Sequence, residues 1–235
     1  MKETCICIAG DVKGSRHLNH ERLVTSLEEC AASLNRGFPN DLLIPFKVRN
    51  GDEIVGVLEH FSSGYLAARR MMETLHEKEI YLYLGLGLGK LESADATVHT
   101  MNGTAVLNAF EARDHFLKGQ HSEANQWQIA KKETAVFFYT EDYPYQALNA
   151  LVYTILEKIY SRSDKQKHAI QLIRQNPSLN YEQVGKQLGY ESPKSTVSYL
   201  LSRANYHVVN AMEDSLQQLL DDLQKWFNYT QQDSC

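Results

Sequence analysis

The chain has 235 residues, 43% hydrophobic and 23% charged, which fits a globular protein of about two domains and excludes disordered and fibrous classes. No run approaches the ~20 apolar residues of a membrane span and the N-terminus lacks a signal-type apolar core, so a cytoplasmic protein with no membrane span is expected. The net charge of −5 is uneven: residues 162–207 carry seven Lys and Arg against three Asp and Glu, while residues 1–161 carry 16 against 21 and residues 208–235 one against five. That basic stretch admits a nucleic-acid partner which the total charge argues against.

Residues 4–9 alternate, are rich in Cys and Ile, and run into Gly10-Asp11-Val12-Lys13-Gly14-Ser15-Arg16, a strand followed by a turn. From Glu21, the positions Leu23, Leu27, Cys30, Ala31 and Leu34 recur at helical spacing, closed by Gly37 and Pro39. Residues 44–48 and 54–58 flank Asn50-Gly51, the strongest short hairpin signal. A helix is expected over residues 62–75. A strand over 79–90 should follow, with Gly85, Gly87 and Gly89 on one face, where a helix backbone or a ligand must come close. Residues 103–117 read as a helix and 135–140 as a strand.

This order, βαββαβ with additions, predicts an α/β (α+β) fold: a ferredoxin-like, palm-like, antiparallel-rich sheet with helices over residues 1–140. Leu148, Leu151, Val152, Ile155, Leu156 and Ile159 stripe a helix within a linker over residues 141–163. Tyr139, Tyr143 and Tyr145 are expected to pack the two domains together. Cys5, Cys7, Cys30 and Cys235 lack zinc spacing and read as reduced packing residues. The nine histidines show no metal spacing, and His17 with His20 is the one pair near the Asp11 loop.

In that fold the end of the first strand meets the hairpin tip, so Asp11 and Asp52 are expected to be neighbours, with Glu53 beside them. Converging carboxylates repel unless a cation or a shared proton intervenes. Mg²⁺ suits such a site, because it takes a few carboxylates together with nucleotide phosphates. Gly14, Ser15, Arg16 and Gly51 would offer backbone N–H groups and charge to those phosphates.

These residues carry a resemblance. Asp11-Val12-Lys13-Gly14 followed by Gly51-Asp52, with Leu84-Gly85-Leu86-Gly87-Leu88-Gly89, resembles the paired metal-binding aspartates and glycine-containing strand of class III nucleotidyl cyclases and diguanylate cyclases. More closely, residues 8–16, Gly51-Asp52-Glu53 and Gly85-Leu86-Gly87 resemble the SatD family of bacterial proteins. The SatD resemblance spans most of the chain and implies a cytoplasmic bacterial protein with a C-terminal DNA-binding-like region. Two departures stand out. The family continues Gly-Asp-Glu with Phe-Gln, where this chain has Ile54-Val55, and active cyclases place Asn and Arg four apart on the later helix. Asn108 and Arg113 are five apart, about 140° around an α-helix, so no transition-state clamp is expected.

Residues 164–235 read as a helix-turn-helix domain. Asp164 is placed as the cap of a helix presenting Ala169, Ile170 and Ile173. Asn180 with Gln183 forms a capping box before Val184, Gly185 and Leu188. Ser192 or Ser195 caps a third helix whose inward positions are Val197, Leu200 and Leu201. Lys194, Ser195, Thr196, Ser198, Tyr199 and Arg203 are then the DNA-facing residues, for phosphates and base edges. Val209, Met212, Leu216, Leu219, Leu223 and Trp226 are spaced as a heptad seam. Either a homodimer or a helix folded back on its own chain satisfies that seam.

The leading expectation is a bacterial regulator that binds double-stranded DNA and senses a nucleotide or metal at Asp11 and Asp52. A Mg²⁺-dependent nucleotidyl transferase or cyclase is the alternative, and a non-catalytic interaction scaffold the third.

Overall fold

The computed structural model of the protein describes residues 3–93, 97–129 and 133–230; Cys235 lies outside them. β1 (Glu3–Val12) is the central strand because both of its faces are apolar, with Cys5, Ile6, Cys7, Ile8 and Ala9 fully buried. It pairs antiparallel with β3 (Glu53–Leu58) on one side and with β4 (Leu82–Leu91) on the other. β2 (Leu42–Arg49) pairs antiparallel with β3, and β5 (Ala135–Tyr139) pairs parallel with β4, giving the order β2-β3-β1-β4-β5. The first four strands have the antiparallel order of a split βαβ unit, and a parallel crossover extends it. The expected α/β, palm-like class is the observed one.

The β2–β3 turn forms where expected, with Asn50 at φ 52° and Gly51 at φ 87°. Positive φ at both central residues suits the twist of a hairpin, which is why Asn-Gly is favoured there. α1 (His20–Gly37) starts after Asn19, whose side chain accepts the Arg22 N–H. α2 (Phe61–His76) packs on the Ile6 face of the sheet, where a Cβ at its Gly64 would run into the Ile6 side chain. The opposite face, carrying Cys5, Cys7, Ala9, Val55 and Val57, is covered by Ala105, Val106 and Ala109 of α3 (Thr104–Glu111).

The predicted helix over residues 103–117 changes character halfway. After α3 the chain continues as a π-helical segment, Ala112–Lys118, closed by Gly119 N–H to Asp114 O (2.8 Å) and His121 N–H to Phe116 O (3.1 Å). A short helix, α4 (Ser122–Gln126), follows and was not visible as a periodic signal. Phe116 stacks on Phe137 of β5 at 4.6 Å and meets Tyr139 at 5.0 Å, which seats the π-helical segment on the sheet edge.

The chain divides into two compact units, Met1–Ala150 with Gln217–Cys235, and Leu151–Leu216. The boundaries expected from the sequence fall after residues 140 and 163. α5 (Gln146–Tyr160) is no free linker, because its first turn belongs to the α/β unit: Asn149 accepts the Phe138 N–H (2.7 Å) and donates to the Phe138 carbonyl (2.9 Å). α9 (Tyr206–Thr230) leaves the helical unit and ends in the α/β unit. There Gln224 accepts the Phe61 N–H (2.9 Å) and donates to the carbonyls of Glu59 (2.6 Å) and Thr4 (3.3 Å), and Phe227 meets Phe61 edge-on at 5.6 Å.

Those contacts redraw the heptad reading. The buried stripe of α9 is Val209, Leu216, Leu220, Leu223 and Phe227. Of the expected dimer seam, Val209, Leu216 and Leu223 are buried within the chain itself, Met212 and Leu219 are half-buried, and Trp226 remains 46% exposed. The tyrosines behave similarly: Tyr139 packs on Tyr145 at 5.0 Å and Tyr143 on Trp226 at 5.7 Å, all inside the α/β unit. They serve its core, where the sequence reading placed them between domains.

Candidate functional site

Asp11, near the end of β1, stands directly opposite Glu53 of β3 in the strand register. Cross-strand partners share a sheet face, and two like charges so placed destabilise the pair unless cations intervene. The π-helical segment brings those cations. Lys118 Nζ lies 3.1 Å from Asp11 Oδ2 and 3.5 Å from Asp114 Oδ1. Arg113 Nη1 faces Glu53 Oε1 at 3.5 Å, while its Nε and Nη2 donate to both Asp114 oxygens at 2.8 and 2.6 Å. Arg49 of β2 adds a third cation, 3.8 Å from Glu53 Oε2. Phe110 gives both guanidinium groups an aromatic face, at 4.6 Å from Arg113 and 5.6 Å from Arg49.

Three carboxylates therefore meet three cations, and the cluster is internally neutral. Burial works against the Arg113 charge, but the Asp114 hydrogen bond and the charges of Asp114, Glu53 and Asp11 outweigh it and leave its pKa raised. Burial likewise opposes ionisation of Asp114, and its bonds to Arg113 and Lys118 overcome that penalty, so its pKa is lowered. Lys13, two residues along from Asp11, is pushed down to about 8 by burial and lies over the Tyr83 ring at 4.3 Å.

Asp52 takes a different part. Its backbone carbonyl accepts the Val12 N–H (3.0 Å), which brings Asp11 and Asp52 to adjoining strand ends, but its carboxylate accepts the Ser15 hydroxyl (2.8 Å). One residue along a strand reverses the face, so the acid across from Asp11 is Glu53. The expected Mg²⁺ set of Asp11, Asp52 and Glu53 is thus divided between two environments. Among the described residues no group of three or more His, Cys, Asp and Glu is arranged to hold a metal ion. A divalent cation would have to enter a cluster whose charge is already balanced, so these residues as arranged do not fit one.

The loop of Gly14, Ser15, Arg16 and Gly51 also has its own geometry. Gly14 is left-handed, φ 65°, and Ser15–His17 form a single 3-10 turn, with α1 beginning only at His20. No hydrogen bond within the described residues occupies the N–H groups of Gly14, Ser15 and Arg16. Gly51 sits against the His20 ring. Asn108 and Arg113 form no clamp: Asn108 donates to the Leu88 carbonyl (2.8 Å) and Arg113 is held by acids.

In the helical unit, α6 (Asp164–Gln175), α7 (Tyr181–Gln187) and α8 (Pro193–Arg203) enclose Ile170, Val184, Val197, Leu201 and Ala204. Ser163, one residue before the expected Asp164, caps α6 and forms a capping box with Gln166; Asn180 and Gln183 form the box expected for α7. A Cβ at Gly185 would stand 2.5 Å from Pro193 Cα, which is why α7 needs Gly to cross the start of α8. Gly189, at φ 74°, ends α7, with the Tyr190 N–H returning to the Gly185 carbonyl (3.0 Å). Pro193 occupies the first turn of α8, and the Ser192 side chain makes no capping bond. Arg162, buried, donates Nε–H to the Ala204 carbonyl (3.0 Å) at the end of α8. On the outer side of α8, Lys194, Ser195, Ser198, Tyr199 and Arg203 are exposed, and Thr196 is half-buried.

Sequence reasoning missed Lys118, Asp114 and Arg49, and gave Arg113 another role. Their convergence has no α-helical signal, since Arg113 and Lys118 would diverge by about 140° on an α-helix.

Among solved structures, the chain is similar to the guanylyl cyclase Cya2, with a TM-score of 0.35 and 13% identity over 59% of this chain and 75% of that one. No protein-family model and no curated protein matches it. No helix among the described residues is long and apolar enough to cross a membrane.

Proposed function

We propose that the protein is a DNA-binding regulator that engages double-stranded DNA through α8. The supporting observation is the division of labour on that helix: Val197 and Leu201 are buried, whereas Lys194, Ser195, Ser198, Tyr199 and Arg203 face outward in the basic segment of the chain. A third helix held by two others with a polar, cationic outer face is the arrangement that enters a major groove. Lys194 and Arg203 take phosphates, and the hydroxyl-bearing residues between them reach base edges. The SatD resemblance of residues 8–16 adds a bacterial setting to this reading. The test is fluorescence anisotropy of a labelled random duplex across a salt series. Lys194→Ala with Arg203→Ala is expected to weaken binding for all sequences and to lower the salt slope by roughly 2, about 0.9 per phosphate contact. Absence of wild-type binding at low salt overturns the reading.

A second reading rests on the Gly14 loop. Successive N–H groups in a left-handed then helical conformation form an anion-binding concavity, and Ser15 is anchored there by Asp52. A nucleotide phosphate is the ligand of that shape. Titration calorimetry of nucleoside triphosphates is expected to give binding that Asp52→Ala weakens by releasing Ser15. Equal heats from both proteins rule it out.

A further inference from the structure

The Asp11–Glu53 pair poses a charge problem that the chain solves without an external ion. Their side chains are 13% and 14% exposed, so water alone does not screen them. On a regular α-helix, Arg113 and Lys118 would point about 140° apart and only one would reach the sheet. The i→i+5 bonding of Ala112–Lys118 brings residues five apart to one side, and both cations arrive.

The two are not equivalent. Arg113 is 6% exposed, bound to both Asp114 oxygens and lying over Phe110. Lys118 is 38% exposed, and its ammonium lies between Asp11 Oδ2 and Asp114 Oδ1 at 3.1 and 3.5 Å. A point charge between two carboxylates at the protein surface has the surroundings a small hydrated divalent cation uses, which takes one or two carboxylates and completes its shell with water.

We propose that Lys118 is an internal substitute for a divalent cation: its ammonium closes a site between Asp11 and Asp114 that accepts a divalent cation only once that ammonium is removed. With Lys118 gone, the cluster retains three carboxylates against Arg113 and Arg49. The excess negative charge then lies where Nζ was. With Lys118 in place, the space between Asp11 and Asp114 accordingly takes no divalent cation.

The experiment follows the free Mn²⁺ electron paramagnetic resonance signal as full-length protein is added, for wild type, Lys118→Arg, Lys118→Ala and Lys118→Ala with Asp11→Asn. Circular dichroism in the same buffer verifies folding. Wild type and Lys118→Arg are expected to leave the signal intact, Lys118→Ala to remove one Mn²⁺ per chain, and added Asp11→Asn to restore the signal. Lys118→Gln, which keeps the stem length, enters the same titration should Lys118→Ala fail to fold. The proposal is overturned if wild type binds one Mn²⁺ that Asp11→Asn abolishes. It is equally overturned if a folded Lys118→Ala or Lys118→Gln binds none.

Discussion

Arg113 is buried and still charged because its neighbours make ionisation cheaper than neutrality. Breaking one partner of such a buried set leaves an unpaired charge, which costs far more than the intact pair contributes. The Asp114 carboxyl makes this visible in solution. Its folded-state pKa is lowered below 3.8, so its contribution to stability is complete above that value and disappears as pH falls through the depressed one. Acid denaturation followed by circular dichroism is expected to show Asp114→Asn destabilised at pH 7, with the difference from wild type shrinking below pH 3.8. A gap that persists unchanged to lower pH removes the electrostatic explanation. At this scale Asp11 and Asp52 were legible as functional-looking acids, whereas their partners were not. A side chain's counter-ion is chosen by tertiary proximity, and Lys118 lies more than a hundred residues from Asp11.

Among the elements, β4 and α3 show the most direct link between pattern and packing. Gly85, Gly87 and Gly89 alternate, so all three lie beneath one helix, and a Cβ at Gly87 would stand 2.8 Å from Ala109 Cα. Backbone on both sides leaves nothing flexible to yield. Gly87→Ala is expected to cost about 1–3 kcal/mol by overpacking, read as a lower urea midpoint with the m-value unchanged. An unaltered midpoint refutes this packing. The alternation announced a close approach, and the structure identifies the approaching group as a helix backbone, the first of the two candidates. The π-helical segment was hidden because Phe116 and Leu117 keep apolar residues at spacings an α-helix also permits. Its wider turn emerges only when Phe116 must stack on Phe137 while Arg113 lies over Glu53.

Across the whole molecule, α9 begins in the helical unit and ends in the α/β unit. Gln224 is 9% exposed and satisfies the Phe61 N–H at the start of α2, together with two carbonyls. Gln224→Leu leaves that buried N–H without a partner, at about 1–3 kcal/mol. Thermal unfolding of the full chain, monitored on the sheet signal, is expected to shift downward although the substitution lies 163 residues from Phe61. A shift confined to the helical unit contradicts this role. The proposed DNA-binding face, by contrast, is local: Asn180, Gly185, Gly189 and Pro193 specify caps and crossings within one short segment.

By itself the sequence determined most of the elements, the antiparallel order of the first four strands, the Asn50-Gly51 turn and the tri-helical unit. Each depends on periodicity, on φ preferences or on caps a few residues away. Only the tertiary structure decided which acid faces Asp11, which cations neutralise it, and where α9 spends its apolar stripe. Those outcomes depend on strand register and helix pitch, where a shift of one residue turns a carboxylate to the other face or a lysine onto it, and on distant segments competing for the same buried surface.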